Sequence, residues 1–166
     1  MGMKIIVDTR EQHPFRFSLY PCEIETGTLR TGDYSIAGFE DKVTIERKSP
    51  TDLCGCITSS RERFERELER MRPFDCAAVV VELPIQEITR QHFNTGLRQS
   101  SFEQSVLSFS FRYRVPFLFG RHRAWAEWLA FNCLRHFWNK NCPPKDKIPY
   151  IEPPTYSWER KRSRHG

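Results

Sequence analysis

The sequence contains no run approaching the ~20 consecutive apolar residues that a membrane-spanning helix needs. Its opening Met-Gly-Met-Lys lacks the apolar stretch of a secretory signal. The expectation is therefore an intracellular protein with no membrane partner, cytoplasmic in a prokaryotic or phage source and nuclear in a eukaryotic one. No internal repeat is present. The six cysteines, Cys22, Cys54, Cys56, Cys76, Cys133 and Cys142, include no Cys-x-x-Cys pair. Cys54 and Cys56 form a lone Cys-x-Cys with no second ligand pair, so a zinc-stabilised interaction domain has little support. Reduced, partly buried thiols are the plainer reading.

What is present is enough for one domain. A chain of 166 residues can bury a real core but is too short to expect two. Its 39% hydrophobic and 13% aromatic content is that of a globular protein, not a disordered one. A net charge of +5 suits a nucleic-acid partner without requiring one.

Lys4-Ile5-Ile6-Val7-Asp8 reads as a buried strand ending in an acid. Residues 9–32 read as a loop with one short strand near 22–24. Asp33-Tyr34-Ser35-Ile36 and Val43-Thr44-Ile45-Glu46, separated by Ala37-Gly38-Phe39-Glu40-Asp41-Lys42, read as a hairpin. Ser49-Pro50-Thr51-Asp52 is a helix start: a capping serine, proline in the first turn, and an acid three residues on. A second start, Ser59-x-x-Glu62, precedes a helix whose apolar stripe is Phe64, Leu68 and Met71. Residues 76–83 form a continuous buried strand. Helices are expected over 101–113 and 123–139, with a short strand at 116–119 between them. Five of the eleven prolines lie between Cys142 and Pro154, which predicts an extended tail. That tail ends in a basic cluster, Arg160-Lys161-Arg162 and Arg164. Strands alternating with helices, plus one hairpin, predict an α/β fold with a mixed central sheet flanked by helices on both faces.

The hairpin register brings the chemistry together. With the turn near Phe39–Glu40, Ile36 faces Val43 and Tyr34 faces Ile45, both apolar pairs. The same register sets Asp33 opposite Glu46, and Lys48, two residues on, shares their face. Two carboxylates that close repel unless a cation lies between them, and hard oxygen ligands suit Mg²⁺ or Mn²⁺. A solvated surface patch remains the alternative at this point.

Gly32-Asp33-Tyr34 followed by Glu46-Arg47-Lys48-Ser49-Pro50-Thr51-Asp52 reproduces a GD…ERKxxxD signature, and Val7-Asp8-Thr9-Arg10-Glu11 matches a VDxRE element upstream. Over residues 3–119 the chain resembles the XPF-type nuclease domain, a branch of the restriction-endonuclease-like PD-(D/E)xK superfamily. The resemblance implies a metal-dependent DNA endonuclease acting on branched, flapped or nicked DNA. It implies Asp33 and Glu46 as metal ligands with Asp8 in support, and Lys48 as the catalytic lysine. Glu11, Arg47 and Asp52 would complete the site, and the enzyme would work as a homodimer. Asp52 fits a helix-start acid equally well. The domain would occupy 1–140 and the tail 141–166.

The alternating Arg61–Arg70 run reads as a salt-bridged solvated face. Arg61 is its best candidate for a DNA phosphate contact, and Arg10 is a second. Glu82, closing a strand, is a further site candidate. The last helix carries Trp125, Trp128, Leu129, Leu134, Phe137 and Trp138 on more than one face. It either packs within the core or, with Phe109 and Phe111, forms a dimer contact. The tail shows none of the helix-hairpin-helix signal that better-known family members carry after this domain, and the length fits a small stand-alone nuclease. A catalytically silent, nuclease-like DNA-binding subunit that scaffolds a partner is the alternative. The intact Asp33, Glu46 and Lys48 argue against it.

Overall fold

The computed structural model describes residues 2–88 and 96–155. Strands β1 (Lys4–Asp8), β2 (Glu23–Gly27), β3 (Tyr34–Ile36), β4 (Val43–Lys48), β5 (Cys76–Val81) and β6 (Phe117–Phe119) form one sheet in the order β2-β1-β3-β4-β5-β6. The β1–β3 and β3–β4 pairs are antiparallel, while β1–β2, β4–β5 and β5–β6 are parallel. Helices α1 (Pro50–Ile57), α2 (Arg61–Met71) and α3 (Gln99–Tyr113) cover one face. Helix α4 (Arg123–Asn141) covers the other. The expected mixed sheet with helices on both faces is the fold adopted.

Period-two alternation divides the core. Ile5, Val7, Tyr34, Ile36, Val43, Ile45 and Val80 pack toward α4. Val79 and Val81 pack with Leu53, Phe64, Leu68, Phe102 and Phe109 under α1–α3. Tyr34 pairs with Ile45, as the apolar matching predicts. Ser49 caps α1: its hydroxyl accepts from the Asp52 backbone N–H at 3.2 Å and donates to Asp52 Oδ2 at 2.6 Å. The next helix starts at Arg61 with Ser60 in the cap position, one residue beyond the expected Ser59, and its cap serine makes no side-chain bond. Phe64, Leu68 and Met71 are all buried, as their spacing requires.

Residues 9–22 carry little local signal, and their order comes from long-range contacts. The Phe15 ring stacks on Tyr34 at 5.4 Å, and Tyr20 stacks on Phe131 of α4 at 4.3 Å. The Phe17 N–H donates to Glu127 Oε1. The loop is thus part of the α4-side core, and it carries Glu11 to Arg47 near the end of the central strand β4.

The many-sided apolarity of α4 also has an intramolecular cause. One side meets the sheet; the other is covered by the segment that follows. Trp128 Nε1 donates to the Ile151 carbonyl at 2.8 Å, and Trp138 Nε1 donates to that of Asp146 at 3.0 Å. Asn139 exchanges two bonds with Ile148, of 2.7 and 2.8 Å. Apart from a 3₁₀ turn at Pro144–Asp146, the described part of this segment forms no helix or strand. The basic cluster from Arg160 lies outside the described residues. Phe109 is fully buried, whereas Phe111 is 84% exposed. Among the described residues no helix is long and apolar enough to cross a membrane.

The glycine before Asp33 is dictated by geometry. Gly32 has φ +77°, and a Cβ there would lie 2.0 Å from Thr44 Oγ1, which itself donates to the Thr31 carbonyl at 2.9 Å. Left-handed backbone and overpacking act together, so Gly32→Ala is expected to lose about 3 kcal/mol of stability in urea unfolding. A loss below ~0.5 kcal/mol would refute this account.

Candidate active site

Asp33 sits where β3 begins, clamped on three sides. Its N–H donates to the Ile45 carbonyl at 2.8 Å, and its carbonyl accepts from the Asp8 N–H at 2.9 Å. Its Oδ2 accepts from the Arg47 backbone N–H at 2.7 Å. The Tyr34–Ile45 register carries Asp33 opposite Glu46. Glu46 lies beside Val79 and Lys48 beside Val81, so both side chains belong to the face beneath α1–α3. Glu46 is only 5% exposed. The Lys48 ammonium contacts Glu46 Oε1, lies 3.6 Å from Glu67 Oε2 and stands 5.2 Å from the Phe64 ring centre.

Burial shapes the charges of this trio. Desolvation, reinforced by the charges of Glu11 and Glu67, pushes Asp33 up to about 6. Glu46 is raised well above the usual carboxylate range, again first by burial and then by Asp33 and Glu67. For Lys48 burial acts downward, but Glu46 and Glu67 outweigh it and the ammonium is held charged.

Arg47 follows the alternation to the opposite face, beside Val80. Its guanidinium donates from Nε to Glu11 Oε2 at 3.1 Å and from Nη1 to Glu82 Oε1 at 2.8 Å. The Arg47 and Glu11 side chains are 8% and 7% exposed. Arg123 at the start of α4 donates to the same Glu82 oxygen at 2.5 Å and to the carbonyls of His13 and Pro14. Four charged groups from four chain segments thus lock the 9–22 loop, β4, the end of β5 and α4 into one rim.

Asp8 is buried, but its oxygens are engaged. Oδ1 accepts from the Arg10 backbone N–H at 2.9 Å and from Arg10 Nε at 2.7 Å. Oδ2 accepts from Arg10 Nη2 at 3.1 Å and from the Leu29 N–H at 2.7 Å. Burial acts to raise Asp8, but these bonds prevail and its carboxyl lies below the ordinary value. Its contacts are those of a residue that orients Arg10. Asp52 takes the helix-start role at Ser49 and also borders the cleft. Arg61 is engaged with Glu65 at 3.0 Å and Ser105 at 3.3 Å, and its guanidinium stands 4.7 Å from the Phe109 ring centre.

The trio opens into a cleft of about 920 Å³. Arg10, His13, Arg63 and Arg123 border it alongside Asp33, Glu46 and Lys48. Sequence reasoning missed His13, Arg63, Glu67 and Arg123. Arg63 and Arg61 are separated only by helical phase, which the burial of Phe64 could have supplied; the other three depend on long-range placement. Cys54 and Cys56 are buried residues of α1 itself, and burial pushes both thiols up to about 11. That favours neutral thiols over metal-binding thiolates.

The donor set fits a hard divalent cation. Among the described residues, Asp33 Oδ1 and Glu46 Oε2 accept no hydrogen bond, so each carboxylate keeps one oxygen available. Among the same residues, no group of three or more His, Cys, Asp or Glu side chains forms a closed cage. Mg²⁺ and Mn²⁺ retain several waters and need only one or two carboxylates, which this pair provides.

The fold is similar to those of known proteins. The XPF of Aeropyrum pernix superposes with a TM-score of 0.66 at 17% identity, covering 81% of this chain and 64% of that one. The same protein in complex with DNA gives 0.67 at 17% identity, covering 87% and 70%. A candidate ATP-dependent RNA helicase of Methanocaldococcus jannaschii is 27% identical over 120 residues, which is 72% of this chain and 14% of that protein. The chain therefore spans about one-seventh of the length of that curated relative. The family model of the ERCC4 domain matches residues 7–131. With the GD…ERK segment, strands β2–β6 and the residues that line the cleft inside that match, the chain belongs to the ERCC4 domain family.

Proposed function

We propose that this chain is a metal-dependent endonuclease that hydrolyses phosphodiester bonds in DNA, on branched, flapped or nicked substrates in repair, recombination or phage DNA processing. The observation that carries the reading is the convergence of Asp33, Glu46 and Lys48 on one face, at the floor of an arginine-bordered cleft. Membership of the ERCC4 domain family supports nuclease chemistry. The similar fold of the Aeropyrum pernix XPF in its complex with DNA supports DNA as the partner.

In this reading Asp33 and Glu46 hold Mg²⁺ or Mn²⁺ through their available oxygens. Such an ion would supply Lewis acidity toward a phosphate oxygen and toward water. Lys48 keeps its charge and offers ammonium protons to the phosphate as negative charge develops on it. Asp8 holds Arg10 at the rim, where Arg10 and Arg63 can meet the DNA backbone. Glu11, Arg47 and Glu82 keep β4 in register with the loop and α4. The best support for the expected homodimer is at Leu107 and Phe111, one turn apart on α3 and 51% and 84% exposed.

The test is cleavage of duplex, flap, splayed-arm and four-way DNA with EDTA, Mg²⁺ or Mn²⁺. The wild type is expected to cut at least one branched substrate with either ion and none with EDTA, and Asp33→Ala and Glu46→Ala are expected to cut none. Metal-independent cutting, or equal cutting by the variants, would sink the proposal. DNA binding without cleavage would favour the silent subunit instead.

A further inference from the structure

Among the interleaved charges of α2, one acid is set apart. Glu62 and Glu69 pair within the helix or at its end, with Arg66 at 4.0 Å and Arg72 at 3.4 Å, and Glu65 meets Arg61 at 3.0 Å and Arg112 of α3 at 3.9 Å, all away from the trio. Glu67 turns inward: its Oε2 lies 3.6 Å from Lys48 Nζ, and its side chain is 22% exposed. Phe64, one turn earlier on the same helix, presents its ring to the same ammonium. The Lys48 ammonium is therefore held between two acids, Glu46 from its own strand and Glu67 from α2.

That arrangement answers a conflict within the site. Lys48 contacts Glu46, yet Glu46 is also one of the two carboxylates offered to a cation. The ammonium and the cation compete for it. If Lys48 had no second acid, freeing Glu46 would strand a charge on a side chain only 14% exposed, which is costly. Glu67 removes that conflict. Asp33, Glu46 and Glu67 also border a second cavity, of about 180 Å³, together with Arg10, Arg30 and Arg70.

We propose that Glu67 is a positioning residue for Lys48, the acid that takes over its ammonium when Glu46 is given to the cation. This rests on Asp33 and Glu46 being the cation-binding pair. Glu67 then acts on the cation only through Lys48, and that coupling is what an experiment can read.

The experiment is a double-mutant cycle with Glu67→Gln, Lys48→Met and the pair, read as the Mn²⁺ dependence of Tm without DNA, alongside cleavage kinetics. With Lys48 in place, Glu67→Gln is expected to weaken Mn²⁺ binding about fivefold, the scale of one partly buried ion pair. It is also expected to lower kcat with KM for DNA unchanged, and to leave the metal-free Tm within a few degrees of wild type. In the Lys48→Met background the same change is expected to leave Mn²⁺ affinity unaltered. Glu67→Asp, which keeps the charge, is expected to recover most of the affinity. An equal loss in both backgrounds would mean that Glu67 acts on the cation directly, and would overturn the proposal. So would a fall in metal-free Tm with Mn²⁺ affinity intact, or no recovery by aspartate. A wild type that neither responds to Mn²⁺ nor cuts DNA would instead bring down the underlying functional reading, and this inference with it.

Discussion

Asp33→Asn is expected to abolish cleavage while making the metal-free protein more stable. The two effects share one cause. Burial and neighbouring acids push Asp33 up to about 6, against an ordinary value of 3.8. At neutral pH its ionised form is therefore a cost to the fold, on the order of 2 kcal/mol. Asparagine removes the charge, and its carbonyl oxygen still accepts from the Arg47 N–H. A gain of roughly 4–8 °C in Tm at about pH 7.5 in EDTA is the expected result. The sign of the pH dependence follows. The folded state binds the proton more tightly than the unfolded chain, so this destabilisation grows as pH rises from about 4 to about 6 and is complete above. The Tm gap between variant and wild type should close as pH falls through that window. Added Mg²⁺ or Mn²⁺ should raise the Tm of the wild type and not that of the variant. Cleavage should fall by at least about 100-fold. A variant less stable than wild type in EDTA would contradict the charge account, and retained cleavage would contradict the site.

Arg47→Ala is expected to be the most destabilising substitution in the rim. Its guanidinium, 8% exposed, joins Glu11 of the 9–22 loop to Glu82 at the end of β5. Alanine strands Glu11, a carboxylate 7% exposed, to which, among the described residues, only the His13 N–H still donates, at 2.6 Å. Breaking a buried pair from one side costs about 3–5 kcal/mol, a large share of the ~5–15 kcal/mol that holds a domain together. The expected fall in Tm is on the order of 10 °C. Lysine should restore little, since one ammonium cannot replace a planar fork that serves Glu11 with Nε and Nη2 and Glu82 with Nη1. Thermal melting of both variants decides the matter. A loss under ~1 kcal/mol for alanine would show that the rim contributes no more than a solvated surface pair.

How far the candidate site could be read beforehand depends on the range of the signal. The Asp33, Glu46 and Lys48 grouping needs only a hairpin register and a period of two, both written into adjacent residues through the apolar pairing of Tyr34 with Ile45. Ser49 and Asp52 announce the start of α1 for the same reason, since a cap is local chemistry. Asp8 was legible as a buried acid, but its engagement with Arg10 and the Leu29 N–H was not, because Leu29 lies 21 residues away. Arg61 and Arg63 look alike in sequence; helix phase sends one onto Ser105 and Phe109 of α3 and the other to the cleft.

The sequence alone determined the α/β pattern, the order of strands and helices along the chain, and the two carboxylates and lysine on one face, because each follows from residues close in the chain. Tertiary structure decided the rest. It turned Glu67 inward, linked Arg47 to Glu11 and Glu82 and brought Arg123 to the same Glu82, and covered the second side of α4 with residues 142–151. Those contacts join residues up to 41 apart in the chain, where no local period can report a partner and only closure of the core selects one.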